Sequence, residues 1–210
     1  MSVAPDGSPV ELYALLPELG EGDWVAKAVS AGSSILELGS GTGRITRQLV
    51  RLGYHVTAVD ESPKMLAYVQ EAETICARIE QLDLGRRFDA ALLASNLINA
   101  PIAQRRAFLE TCGRHADLVV VEGLALGWRP DDRETQLGDV TARLRIERSE
   151  DGVVHGEVEY MVAERVWHHR FAMRVFADRD ELDAVLADAD LRFARWLDSE
   201  GGRCFVAVPA

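Results

Sequence analysis

Apolar positions along the chain fall into two alternating patterns. Ile35–Leu38, His55–Val59, Thr74–Ile79, Phe88–Ala94 and Leu118–Val121 are short apolar runs of strand length, and Phe88–Ala94 is nearly continuous, as in a strand buried on both faces. Between them apolar residues recur at helical spacing: Ile45, Leu49 and Leu52, then Met65, Leu66 and Val69, then a helix through Phe108 and Leu109 to Gly113. Strand and helix alternating over connections of this size predict a doubly wound, mostly parallel α/β sheet. Upstream, Leu12, Leu15, Leu16, Leu19, Trp24 and Val25 predict two short helices broken near Pro17 and Gly20–Gly22, so residues 1–33 read as a helical cover. Residues 1–9, with Pro5, Gly7 and Pro9 and little to bury, read as a frayed lead-in.

After Glu122-Gly123 the rhythm changes. Residues 129–138 are polar and irregular, and Val140–Ile146, Val153–Met161 and Val166–Phe176 are β-rich. The Asp151-Gly152 pair between the first two is a hairpin signal. Residues 129–176 therefore read as an antiparallel insertion of a size to form a lid. Asp178 with Glu181 makes a capping-box start for a helix carrying Leu182, Val185, Leu186 and Ala189, and Leu191–Leu197, a Gly201-Gly202 turn and Cys204–Val208 close the chain as a hairpin.

The chemistry concentrates where the first strand ends. Gly39, Gly41 and Gly43 stand at alternate positions between Leu38 and the helix from Arg44. Glycine suits a turn that visits positive φ and lets a ligand press against bare main chain, and the helix it opens points free N–H groups at that ligand. A dinucleotide fingerprint would place glycine where Arg44 stands, and a phosphate-binding P-loop would continue Gly-Lys-Ser/Thr, which is absent.

The run Ile-Leu-Glu-Leu-Gly-Ser-Gly-Thr-Gly over Ile35–Gly43 resembles motif I of the class I S-adenosylmethionine-dependent methyltransferases, and Glu61-Ser62-Pro63-Lys64-Met65-Leu66 is similar to that family's continuation after its second strand. The resemblance implies a Rossmann-like, mostly parallel seven-stranded sheet with a C-terminal antiparallel hairpin, one methyltransferase domain over residues 1–210, and S-adenosyl-L-methionine as cofactor. It implies that Glu37, Gly39, Ser40, Gly41, Thr42, Gly43 and Arg44 cradle the methionine portion, that Asp60 with Glu61 takes the ribose, and that Met65 and Ile79 lie against the adenine. Tyr13 is a candidate neighbour of the methionine carboxylate, with packing on the core as the alternative. The chain departs from the family at the adenine acid, where Arg78 stands and Glu80 lies one step beyond Ile79. Ser95 and Asn96 come straight off the Phe88–Ala94 strand at the sheet's C-terminal rim, where open α/β sheets bind ligands. Asn99 with Pro101 reads as a cap for the next helix.

Composition narrows the partner. The formal net charge is −11, and beside Lys27 and Lys64 the arginines are scattered, their longest runs the pairs Arg86-Arg87 and Arg105-Arg106, so no basic stripe is available for nucleic acid. Cys76, Cys112 and Cys204 are widely spaced, which suggests neither disulfides nor zinc but small core fillers in a reducing compartment. No apolar run approaches the ~18 residues of a membrane span, and the start of the chain has no basic-then-apolar leader, so a soluble cytoplasmic protein with no membrane partner is expected. No metal-ligand spacing is present.

The acceptor is expected to be a small molecule, such as a specialised metabolite, methylated on oxygen or nitrogen between rim and lid. The lid's Tyr160, Met161, Trp167, Phe171 and Met173 suit such a ligand or a homodimer contact. Of His168 and His169 only one can face the cavity, because strand side chains alternate. His169, sharing a face with Trp167 and Phe171, is favoured as general base over His168, with His155 and Tyr160 as alternatives. Two other readings compete: a cofactor-binding protein without catalysis, and a nicotinamide-dependent oxidoreductase.

Overall fold

The structure is a computed structural model that describes residues 2–198 and 202–210. The leader supplies α1 (Val10–Tyr13) and α2 (Glu21–Ala28). The alternating half follows as β1 (Ser34–Leu38), α3 (Arg44–Arg51), β2 (His55–Asp60), α4 (Pro63–Leu66), β3 (Glu73–Cys76), β4 (Ala90–Leu93), α5 (Ile102–His115) and β5 (Val119–Glu122). Next come β6 (Arg133–Leu137), β7 (Val140–Glu150), β8 (Val153–Val162) and β9 (Arg165–Arg174), then α6 (Arg179–Ala187), β10 (Leu191–Trp196) and β11 (Cys204–Pro209).

The larger sheet has seven strands in the order β10-β11-β5-β4-β1-β2-β3. β1 to β5 run parallel, and β11 pairs antiparallel with both β5 and β10. Alternation along the strands divides the apolar side chains between two faces. Ile35, Ala90, Leu92 and Val120 pack with Val25 of α2 and Ile45 and Leu49 of α3 on one side. Leu36, Leu38, Ala91, Leu93, Val119 and Val121 pack with Leu109 of α5 and Leu182 and Leu186 of α6 on the other. The chain leaves β1 and β4 in opposite directions across the sheet, so a crevice opens between their C-terminal ends.

Local signals act as the sequence predicts at several points. Ser62 caps α4, its Oγ accepting the Met65 N–H at 3.3 Å, with Pro63 at the first helical position. Asp178 Oδ1 accepts the Glu181 N–H at 3.0 Å at the start of α6. Asp151 and Gly152, with φ 51° and 74°, make the tight turn between β7 and β8.

Other expectations are corrected. The first nine residues are tied down rather than frayed: the Val10 N–H reaches Ser2 O at 3.0 Å, Val3 bridges Pro9, and Ala4 and Ser8 are buried. The polar stretch 129–138 contains β6, which completes a second, four-stranded antiparallel sheet in the order β6-β7-β8-β9. An edge strand with one solvated face needs little apolar content, which is why its composition reads as loop. The third strand ends at Cys76, and Ile79 begins a short 3-10 turn. Asn99 caps no helix; its Oδ1 accepts the Leu124 N–H at 2.9 Å and its Nδ2 donates to Arg174 O at 2.7 Å. Cys76 is exposed, whereas Cys112 and Cys204 fill the core. Gly201 of the expected final turn lies outside the described residues.

Gly156 in β8 lets Phe171 of β9 lie across the strand: a Cβ there would stand 2.5 Å from Arg145 O and 2.8 Å from the Phe171 ring. Gly156→Ala is expected to destabilise the protein by about 1–3 kcal/mol, the usual scale for overpacking. Thermal unfolding followed by circular dichroism checks this; an unchanged midpoint would show that the strand relaxes freely.

Candidate active site

The three glycines after β1 all adopt positive φ, 73° at Gly39, 57° at Gly41 and 77° at Gly43. The N–H groups of Gly39 and Ser40 both reach Val59 O at 2.9 Å, so the turn is stitched to β2. Asp60 finishes the stitching: its Oδ2 accepts the Gly41 N–H at 2.9 Å and its Oδ1 the Ser62 N–H at 2.8 Å. Burial raises the Asp60 carboxyl above its ordinary range against the pull of those two donors. Gly43 serves as the left-handed start of α3 and stays out of the cavity wall, facing Val69.

In front of the turn lies a cavity of about 440 Å³. Most of the side chains singled out from sequence line it. Tyr13, Glu37, Gly39 through Thr42, Arg44 and Asp60 form one part, Glu61, Met65, Arg78, Ile79 and Glu80 a second, and Ser95 and Asn96 the floor between β1 and β4. Ser95 and Asn96 take φ of 57° and 61°, two consecutive left-handed residues without glycine, a strain that concentrates at functional sites.

Glu37 is fully enclosed, and that burial pushes its carboxyl up to about 7, although Thr46 Oγ1 donates to Glu37 Oε2 at 2.6 Å. Arg44 is held by Glu21, which Gln48 also supports through an Nε2–H bond at 3.0 Å. Arg78 pairs with Glu80 at 3.2 Å and lies 3.8 Å from Glu61.

β9 supplies the opposite wall with His169, Phe171 and Met173, so the smaller sheet covers the rim of the larger one. Tyr13 Oη lies 3.1 Å from His169 Nδ1, and Thr42 Oγ1 donates to Tyr13 O at 3.0 Å, so Tyr13 spans from glycine turn to covering sheet. Burial lowers the His169 pKa, with Asp6 opposing, and raises that of Tyr13. His168 is corrected: it points outward to Glu157, with Nδ1 3.0 Å from Oε1. Trp167 shares the face of His169 but is sealed in a separate cluster with Leu12 and Val140, away from the cavity. His155 lies beside Arg148 at 3.3 Å and Tyr160 packs with the Trp167 cluster, so neither lines the cavity.

Asp6 and Ser8 also line the cavity. The sequence reading passed over them; the trace that could have found them is Asp6-Gly7-Ser8, a turn in which Asp6 Oδ1 accepts the Ser8 N–H at 2.9 Å. Thr46, which props Glu37, carries no such trace beyond its place on the first turn of α3.

The residues present fit S-adenosylmethionine. A Cβ on Gly41 would meet nothing within 4 Å, so a side chain there would stand in the cavity that bare backbone leaves free. Ser40 Oγ and Asn96 Oδ1 are buried in its wall without a hydrogen-bond partner, which suits a polar ligand. No group of His, Cys, Asp and Glu among the described residues is arranged to hold a metal ion, and none of their helices is long and apolar enough to cross a membrane.

Comparison with known proteins agrees with this geometry. The family described as methyltransferase domain matches residues 35–117. Demethylmenaquinone methyltransferase of Tropheryma whipplei is 38% identical over 81 residues, which are 34% of this chain and 33% of that protein, so the match spans about a third of that relative's length. Among solved structures, an S-adenosylmethionine-dependent methyltransferase from Clostridium acetobutylicum superposes with a TM-score of 0.73 at 14% identity, covering 95% of this chain and 94% of that one. The sugar N-methyltransferase KedS8 from Streptoalloteichus gives 0.72 at 21% identity, covering 100% and 96%. Residues 35–117 thus match the methyltransferase-domain family, and the chain as a whole shares the fold of these S-adenosylmethionine-dependent and sugar N-methyltransferase structures.

Proposed function

We propose that this protein transfers the methyl group of S-adenosylmethionine to a nitrogen or oxygen atom of a small molecule. The observation that carries the reading is one shared cavity, with the glycine turn and Asp60 in one wall, His169 and Phe171 in the other, and Tyr13 spanning the two. Residues 129–176 act as the lid of one methyltransferase domain, and residues 1–33 as its cover.

When bound, the cofactor supplies a methyl group on a sulfonium whose leaving thioether is neutral. The protein's part is then mainly alignment, a proximity effect worth up to about 7–11 kcal/mol. Glu37 would meet the cofactor's ammonium, Asp60 its ribose hydroxyls and Ile79 its base. With Nδ1–H donated to the Tyr13 oxygen, His169 keeps a lone pair on Nε2 and can take a proton from the acceptor. Its lowered pKa keeps it neutral at pH 7, the form a base requires.

Calorimetry with S-adenosylmethionine and with NAD tests the reading: the first is expected to bind and the second not, and the reverse would overturn it. Gly41→Val is expected to abolish that binding with the fold retained, since the branched side chain enters open cavity.

Glu37 should make cofactor affinity depend on pH. Its carboxyl is protonated below about 7, so affinity is expected to fall as pH drops, by up to about tenfold per unit, and Glu37→Gln to flatten the profile. In the free protein the sign is opposite: the folded state takes up a proton between the ordinary 4.5 and about 7, so this group's stabilising contribution declines as pH rises through that window. Calorimetry and melting curves from pH 5 to 8 read both.

His169→Asn is expected to lower kcat by about 10²- to 10⁴-fold with unchanged cofactor affinity. In the unaltered enzyme, activity should decline as pH falls through a pKa below the usual histidine value. Retention of full kcat in the variant would remove His169 from the chemistry.

A further inference from the structure

Every arginine in the cavity wall already has a carboxylate. Arg44 is paired with Glu21, Arg78 with Glu80 and Glu61, and Arg170 with Glu157 at 3.2 Å. Among the described residues, three wall carboxylates lie beyond salt-bridge distance of any cation: Asp6, Glu37 and Asp60. Glu37 and Asp60 have cofactor groups to meet under the reading above. Asp6 has none.

The Asp6 carboxylate is held in place rather than loose. Ser8 donates its N–H to Oδ1 at 2.9 Å and its hydroxyl to Oδ2 at 2.8 Å, and Ser8 is itself buried. Asp6 lies near enough to Tyr13, Asp60 and His169 to shift the titration of all three. Elsewhere in the wall, Asn96 Oδ1 is a buried acceptor without a donor. With Nδ1–H turned to Tyr13, as in the reading above, His169 Nε2 would accept as well. A wall with an anion and unfilled acceptors, and with its cations already neutralised, suits a positively charged ligand rich in N–H donors. It repels carboxylates and phosphates.

We propose, on the methyl-transfer reading, that the acceptor is an amine, bound as its ammonium by Asp6 and relieved of one proton by His169. That proton moves from nitrogen to His169 Nε2 and leaves a neutral amine with a lone pair. Nitrogen then forms its bond to the methyl carbon as the carbon–sulfur bond breaks. The electron pair of that bond goes to sulfur, which becomes a neutral thioether, and nitrogen takes the positive charge. An alcohol fits less well, because it brings one donor and a proton far too weakly acidic for a histidine.

The test uses matched sets of small molecules, each amine beside the alcohol and the carboxylic acid of the same skeleton, from benzyl to hexose frameworks. Binding to the protein saturated with S-adenosylhomocysteine is read by ligand-observed NMR, and turnover by S-adenosylhomocysteine formation. Amines are expected to bind and react. Asp6→Asn should raise their KM and weaken their NMR-detected binding by about tenfold or more, the scale for a lost charge-assisted hydrogen bond. Its affinity for S-adenosylmethionine should stay unchanged, and Asp6→Glu should recover part of the loss. Cofactor binding without any amine bound or turned over, turnover of the alcohols or acids in place of the amines, or an Asp6→Asn variant with unaltered amine KM would each overturn the proposal. Failure to bind S-adenosylmethionine at all would instead remove the methyl-transfer reading on which it rests.

Discussion

Three left-handed glycines at the end of β1 have to be held in a conformation that no intrahelical or ladder bond enforces. The hold comes from β2: Val59 O takes two N–H groups of the turn and the Asp60 carboxylate a third. Under the proposed function Asp60 would have two jobs, since the oxygens that would face a ribose are the same ones that fix the turn around it. The spacing of β1 and β2 in the sheet sets the shape of the cradle, and the start of α3 inherits its position from it. Displacing β2 would thus disturb cradle, acid and helix start together.

A second constraint is electrostatic. Glu37 sits at the buried end of the turn with one hydroxyl donor, and its raised pKa measures how little the free protein does for its charge. The site is left short of a cation. Arg44, the nearest one in sequence, is paired with Glu21, which Gln48 steadies in turn.

Much of this was legible in the sequence. Glycine spacing, the acids ending β1 and β2 and the Ser62-Pro63 cap are local signals, and local chemistry decides what those residues do. Strand parity put His168 and His169 on opposite faces, and the neighbours Trp167 and Phe171 favoured the face of His169. Trp167 could not be separated from His169 the same way, because parity gives the face but not which part of that face meets the cavity; Leu12 and Val140, distant in the chain, cover it. Asp6 and Ser8 were missed for a related reason. A short polar and proline-containing segment has no periodicity, and only the packing of Ala4 and Val10 on the distant Met65 brings it to the wall. β6 went unread because an exposed edge strand has no apolar signature to offer.

The Asn99 side chain joins the loop after β5 to the last residue of β9, and the Trp167 cluster joins the first half of β9 to α1. A beam fixed at both ends does not swing, so the covering sheet is poorly suited to act as a door. On another side the wall is closed by residues 2–9, which rest on the body through Ala4 and Val10 against Met65 and bring Asp6 and Ser8 to the cavity. The cavity is thereby walled by two segments far apart in the chain, and the Tyr13–His169 contact joins them.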